Sequence, residues 1–92
     1  MQNIRDRIII LLDFMGLSNH KLEKKTGIPR TTWGNLRNRR GRANEDQIMA
    51  IVNLWPEYAY WLTTGQTILE AGQISPEIEE ARQRQGLRTG TY

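Results

Sequence analysis

The residues from 17 to 36, Leu-Ser-Asn-His-Lys-Leu-Glu-Lys-Lys-Thr-Gly-Ile-Pro-Arg-Thr-Thr-Trp-Gly-Asn-Leu, constrain this chain more than any others. They read as two short helices joined by a tight turn. Ser18 is placed to cap the first helix, its hydroxyl accepting an orphan backbone N–H. Leu22, four residues on, faces inward. Thr26-Gly27 ends that helix, and Gly27 is free to take the positive φ of a sharp turn. Ile28 is the buried residue of the turn. Pro29 suits the start of the next helix, where no donor is missed. Trp33 and Leu36 repeat at i, i+3 and point back toward Leu22. A short helix, a Gly-bearing turn and a second helix are the parts of a helix-turn-helix.

Charge gives this unit a use. Between positions 24 and 42 lie Lys24, Lys25, Arg30, Arg37, Arg39, Arg40 and Arg42, with no acid. The whole chain carries only +3, so this stretch at +7 leaves −4 elsewhere. A run of charge by itself is ordinary solvated surface. Concentrated on and after the second helix of such a unit, it is what neutralising DNA phosphates requires.

Leu17-Ser18, Leu22, Gly27-Ile28 and residues 33–36 resemble the helix-turn-helix of lambda-repressor-like DNA-binding domains of the Cro/C1 or Xre type. Trp61-Leu62-Thr63-Thr64-Gly65 is similar to the ending common after the last helix of those domains. The resemblance covers residues 4–65. The chain departs from the pattern at three positions. Glu23 stands where a small Ala is usual, Trp33 replaces Ile or Val, and Arg37 replaces a common Glu. A Glu there turns outward if the helix rolls slightly, and Trp33 is large enough to fill the space.

The remaining pattern is helical. Ile4, Ile8, Leu11, Leu12 and Met15 recur at helical spacing over 3–15, stopped by Gly16. Helices are expected over 19–25 and 30–38, followed by a basic loop, Arg39-Arg40-Gly41-Arg42-Ala43. Asn44 caps the next helix, with Glu45 and Asp46 at its positive end and Gln47 placed for a capping box. Its inner stripe is Ile48, Ile51, Val52 and Trp55. A short helix then runs 56–62, closed by Gly65. The expected class is all-α, a four- to five-helix domain over 1–65 with an extension over 66–92. In the extension, Ser75-Pro76-Glu77 opens a helix over about 75–85. Its apolar face, Ile74, Ile78 and Ala81, is too thin to stand alone. It docks on the domain, docks on a partner, or frays, and residues 88–92 are expected to be disordered.

Ninety-two residues make one domain. At that size only about 60–65% of the unfolded chain's surface is buried, so oligomerisation would help. Without Cys there is no disulfide or thiolate chemistry, in keeping with a reducing cytosol. No signal peptide or membrane span is read, and the expected location is cytoplasmic. His20 has no second His or Cys for a metal site, and no cofactor or catalytic constellation is read.

If the second helix of the unit enters the major groove, Arg30, Thr31, Gly34, Asn35 and Asn38 face outward. The resemblance implies base reading by Arg30, Thr31 and Asn35. Arg30 suits guanine O6 and N7, Asn35 suits adenine, and Thr31 suits a thymine methyl. Gly34 is either a close-approach point for the groove floor or a helical Gly tolerated at about 1 kcal/mol. The resemblance places Asn19 at a phosphate-binding position, and Asn38, Arg39, Arg40 and Arg42 are expected on phosphates. Trp55, Tyr58, Tyr60 and Trp61 crowd one segment. Trp55 and Trp61 read equally as core or interface; Tyr58 or Tyr60, with Trp61, Ile74 and Ile78, is expected at a homodimer contact.

The resulting expectation is a small phage or mobile-element type repressor that binds a palindromic operator as a dimer. The alternative is an antitoxin-type module that holds a protein partner through 66–92 and autoregulates its operon. Removing 66–92 separates them: a DNA-only protein keeps its fold and affinity, whereas an antitoxin loses its partner.

Overall fold

The computed structural model describes residues 2–89. Its first helix, α1 (Ile4–Met15), begins at a capping box. The Asp6 N–H donates to Asn3 Oδ1 at 2.8 Å, and the Asn3 N–H donates back to Asp6 Oδ2 at 3.3 Å. Ile8, Leu11 and Leu12 on one side of α1 are fully buried, and Ile4 and Met15 are partly so.

α2 (Asn19–Thr26) and α3 (Arg30–Arg37) form the helix-turn-helix-like pair. Ser18 caps α2 by accepting from the Lys21 N–H, and Gly27 ends it at φ 76°. The Thr26 hydroxyl joins the two helices. It donates to the Leu22 carbonyl at 2.6 Å and accepts from the Ile28 N–H and from Trp33 Nε1. One donor and two lone pairs are thereby all used, so the Trp33 indole is fully buried with its only donor satisfied.

α4 (Glu45–Leu54) starts at the capping box expected of Asn44 and Gln47. Gln47 does more than cap. It is buried, and its Nε2 donates to the Thr32 carbonyl of α3 at 3.2 Å. The start of α4 is thus fixed to α3. A 3₁₀ turn over Pro56–Tyr58 leads into α5 (Ala59–Thr64), which ends at Gly65.

Six residues are too few for a self-supporting helix, and α5 is held at both ends from elsewhere. At its C-terminus, Arg7 of α1 donates through Nε to the Leu62 carbonyl at 2.7 Å and through Nη2 to the Thr63 carbonyl. At its N-terminus, where Tyr58 gives no side-chain cap, Gln73 Oε1 accepts the Tyr60 N–H and Gln73 Nε2 donates to the Pro56 carbonyl. Gln73 is brought there by a bend in which Ile68 and Gln73 exchange backbone hydrogen bonds. Ile74 then donates its N–H to the Glu57 carbonyl and enters the core at 5% exposure. α6 (Pro76–Thr89) follows, with Ser75 Oγ accepting the Ile78 N–H.

These contacts correct three expectations. Tyr58, Trp61 and Ile74, at 2%, 8% and 5% exposure, lie in the chain's own core and not on a dimer face. The aromatics fit because residues 73–78 enlarge the core in cis. Gly65 consequently marks no break in packing, and removing 66–92 would take away the cap of α5 along with Ile74. The last helix does not stop near Gln85, since α6 continues through Gly86 to Thr89. The expected disorder of 88–92 falls on this helix for 88 and 89, and for 90–92 lies outside the described residues. The described residues form six α-helices and no strand.

Replacing Arg7 with Met keeps the apolar stem and removes the donors to the α5 carbonyls. Leaving those carbonyls unpaired should cost about 1–3 kcal/mol, read as a lower urea midpoint with unchanged m-value. An unchanged midpoint would show that water satisfies the end of α5 equally well.

Candidate nucleic-acid interface

α3 carries its apolar side, Trp33 and Leu36, into the core and leaves Arg30, Thr31 and Asn35 exposed. Thr31 and Asn35 are one turn apart, and Asn38, exposed at the C-cap, extends the same face. Gly34 is turned toward α2. A Cβ built on it would stand 3.5 Å from Asn19 Nδ2, ordinary contact. Asn19 at the head of α2 is only partly exposed, and its Oδ1 is buried with no hydrogen-bond partner.

The basic residues divide into two groups. Lys24, Lys25, Arg40 and Arg42 are exposed, and their side chains make no hydrogen bond or ion pair among the described residues. The others are engaged. Arg37 turns inward and donates through Nη2 to the Leu17 carbonyl, tying α3 to the start of the pair. Arg39 sits at φ 58° just past α3. There its N–H donates to Leu36 O and the Arg40 N–H to Asn35 O, closing the helix in the manner glycine usually does. This left-handed backbone costs a residue with a side chain about 1–2 kcal/mol. Arg5 of α1 offsets it by donating to the Arg39 and Gly41 carbonyls, at 3.3 and 2.9 Å. Arg39 Nε lies 3.6 Å from Asp6 Oδ1. The basic loop is therefore bound to the first turn of α1.

Arg30 pairs with Glu23. Its Nε and Nη2 lie 2.8 and 2.7 Å from Glu23 Oε1, and its backbone N–H donates to Oε2 at 3.3 Å. Pro29 offers no side chain to cap α3, and Glu23 supplies that cap from α2. The Arg30 side-chain and backbone hydrogen bonds hold the Glu23 carboxyl below its ordinary value, against some desolvation. The pair's contribution is thus present above the ordinary carboxylate range and is lost as acid protonates Glu23.

The site residues expected from sequence are accordingly not equivalent. Thr31, Asn35, Asn38, Arg40 and Arg42 stand exposed on α3 and the loop that follows it. Arg30 and Arg39 are exposed but already paired with carboxylates. Glu23 and Arg5 were not among the expected site residues. The acid seven positions before Arg30, across the turn, was the signal for Glu23; nothing local marked Arg5.

Gly34→Ala tests the packing between α2 and α3. With room for the methyl at Asn19, Ala should stabilise the protein by up to about 1 kcal/mol through its helix propensity. A lowered melting temperature would mean the two helices cannot give at this point.

No family model matches the chain, and no curated protein does. Among solved structures it is similar to Pf6r from the filamentous phage Pf6 of Pseudomonas aeruginosa PA01, at a TM-score of 0.73 and 29% sequence identity. The likeness covers 83% of this chain and 97% of Pf6r.

Proposed function

We propose that this chain is a regulator of phage type that binds double-stranded DNA sequence-specifically, represses transcription, and acts as a two-fold dimer. The observation that carries the reading is the exposed face Thr31–Asn35–Asn38 of α3, continued by the unpaired guanidiniums of Arg40 and Arg42. Amide and hydroxyl groups along a helix suit base edges, and free cations beside them suit phosphates. The whole-domain likeness to a filamentous-phage protein supports the same assignment.

One α3 reaches only a few base pairs, which is the reason for proposing a dimer. Two copies would read half-sites about 34 Å apart. Of the residues expected at the contact, Tyr60 and Ile78 keep exposed surface to meet a second copy. A protein partner held by 66–92 has less support, because Gln73 and Ile74 in that segment are engaged with the chain's own domain.

Selection of bound duplexes from a random pool tests the reading, and a palindromic consensus is the expected result. On that duplex Asn35→Ala should cost about 1–3 kcal/mol and cost little on random DNA. Arg40→Ala and Arg42→Ala should weaken binding to every sequence alike and lower the salt slope by about one each. No enrichment of any sequence would defeat the proposal. An unchanged slope for both arginines would place the loop away from DNA.

A further inference from the structure

We propose that Glu23 is a positioning residue that holds Arg30 by the Nε–Nη2 edge of its guanidinium, so that the adjoining Nη1–Nη2 edge is set to fork onto a guanine. The inference rests on the DNA-binding reading above.

Nε and Nη2 of Arg30 both meet Glu23 Oε1, at 2.8 and 2.7 Å, while Oε2 takes the backbone N–H of the same residue. The carboxylate therefore fixes both ends of the arginine, its backbone and its head group. A guanidinium has five N–H donors. Two point at Glu23, and the remaining three include the parallel pair on the Nη1–Nη2 edge. Nη1 has no partner among the described residues, and the side chain is 54% exposed. That free edge has the geometry that matches O6 and N7 of guanine. An arginine held in advance loses less rotamer freedom on binding than one waving in solvent.

Charge points the same way. With its guanidinium already facing a carboxylate, Arg30 is a poor grip for phosphate, unlike unpaired Arg40 and Arg42. Its use lies in directed hydrogen bonds. A glutamate is ionised at neutral pH in any case, and the Arg30 hydrogen bonds lower the Glu23 pKa further, so the hold persists under binding conditions.

The test uses the full chain and the duplex selected by the unaltered protein. Affinities are measured by fluorescence anisotropy on that duplex, on versions with each dG replaced singly, and on a random duplex. Glu23→Gln should lower the preference for dG at one position about threefold to tenfold, the scale of ordering one long side chain. Its binding to random DNA should be unchanged or tighter, since a negative charge has gone. Arg30→Lys, which cannot fork, should lose preference at the same position and no other. Thermal melts establish that each variant is folded. If Glu23→Gln fails to fold, Arg30→Lys alone decides, and an intact dG preference overturns the proposal. Full preference retained in a folded Glu23→Gln overturns it, as does equal weakening on every duplex, which would make Glu23 only a helix cap. Failure of the unaltered protein to prefer any duplex would overturn the DNA-binding reading itself, and that arm is read before any variant.

Discussion

Arg7 is the interaction on which the other packing depends. It is a guanidinium buried to 8% exposure and facing backbone carbonyls. A buried charge is tolerable only if its donors are met. Here they meet Leu62 and Thr63 at the C-terminal end of α5, where the helix dipole is negative, and the Gln2 carbonyl. The arrangement fixes α5 against α1. It thereby places Trp61 and Leu62 in one core with Ile8 and Leu11. Gly65 sits close by, and a Cβ there would stand 3.3 Å from Arg7 Nη1. Both the positive φ and the proximity of Arg7 favour glycine at this turn.

The helix pair is built on a different economy of contacts. Short helices need their ends satisfied, and each end between α2 and α3 borrows from the other helix. Thr26 serves the end of α2, the turn and the Trp33 indole together. Glu23 caps α3 because Pro29 cannot. Arg37 reaches back to Leu17, and Gln47 pins the middle of α3 from α4. A large Trp33 and a Glu23 that turns outward are accommodated in this way. Thr31 and Asn35 on the outer face of α3 are left without a side-chain partner among the described residues.

What could be read in advance was local. Ser18, Gly27 and the Asn44–Gln47 box act within a few residues of themselves, and each appears as the residue types imply. So does the inward pairing of Trp33 and Leu36. What escaped was set by partners distant in sequence. Arg7 reads as a solvated flank until α5 arrives 55 positions later. Gln73 reads as a polar linker residue until the bend after Gly65 returns it to Tyr60. The aromatic segment is accommodated because Ile74 and Ile78 of the extension join the same core. Among the candidate site residues, the outward placement of Arg30, Thr31, Asn35 and Asn38 was legible from helical spacing, whereas Gly34, expected outward with them, faces Asn19 of α2. The prior engagement of Arg30, Arg37 and Arg39 was not, because a charge count does not distinguish a free cation from one already bonded.

The docking of Gln73 and Ile74 fixes an order of events in the making of this protein. A chain released only as far as Gly65 has α5 in place in sequence but uncapped, and its core lacks a side chain. The domain closes only when the segment beyond Gly72 has been made and has turned back onto α5. A single cleavage between Gly65 and Gln73 would cut the tether that holds Gln73 and Ile74 against α5, beside the buried Tyr58 and Trp61.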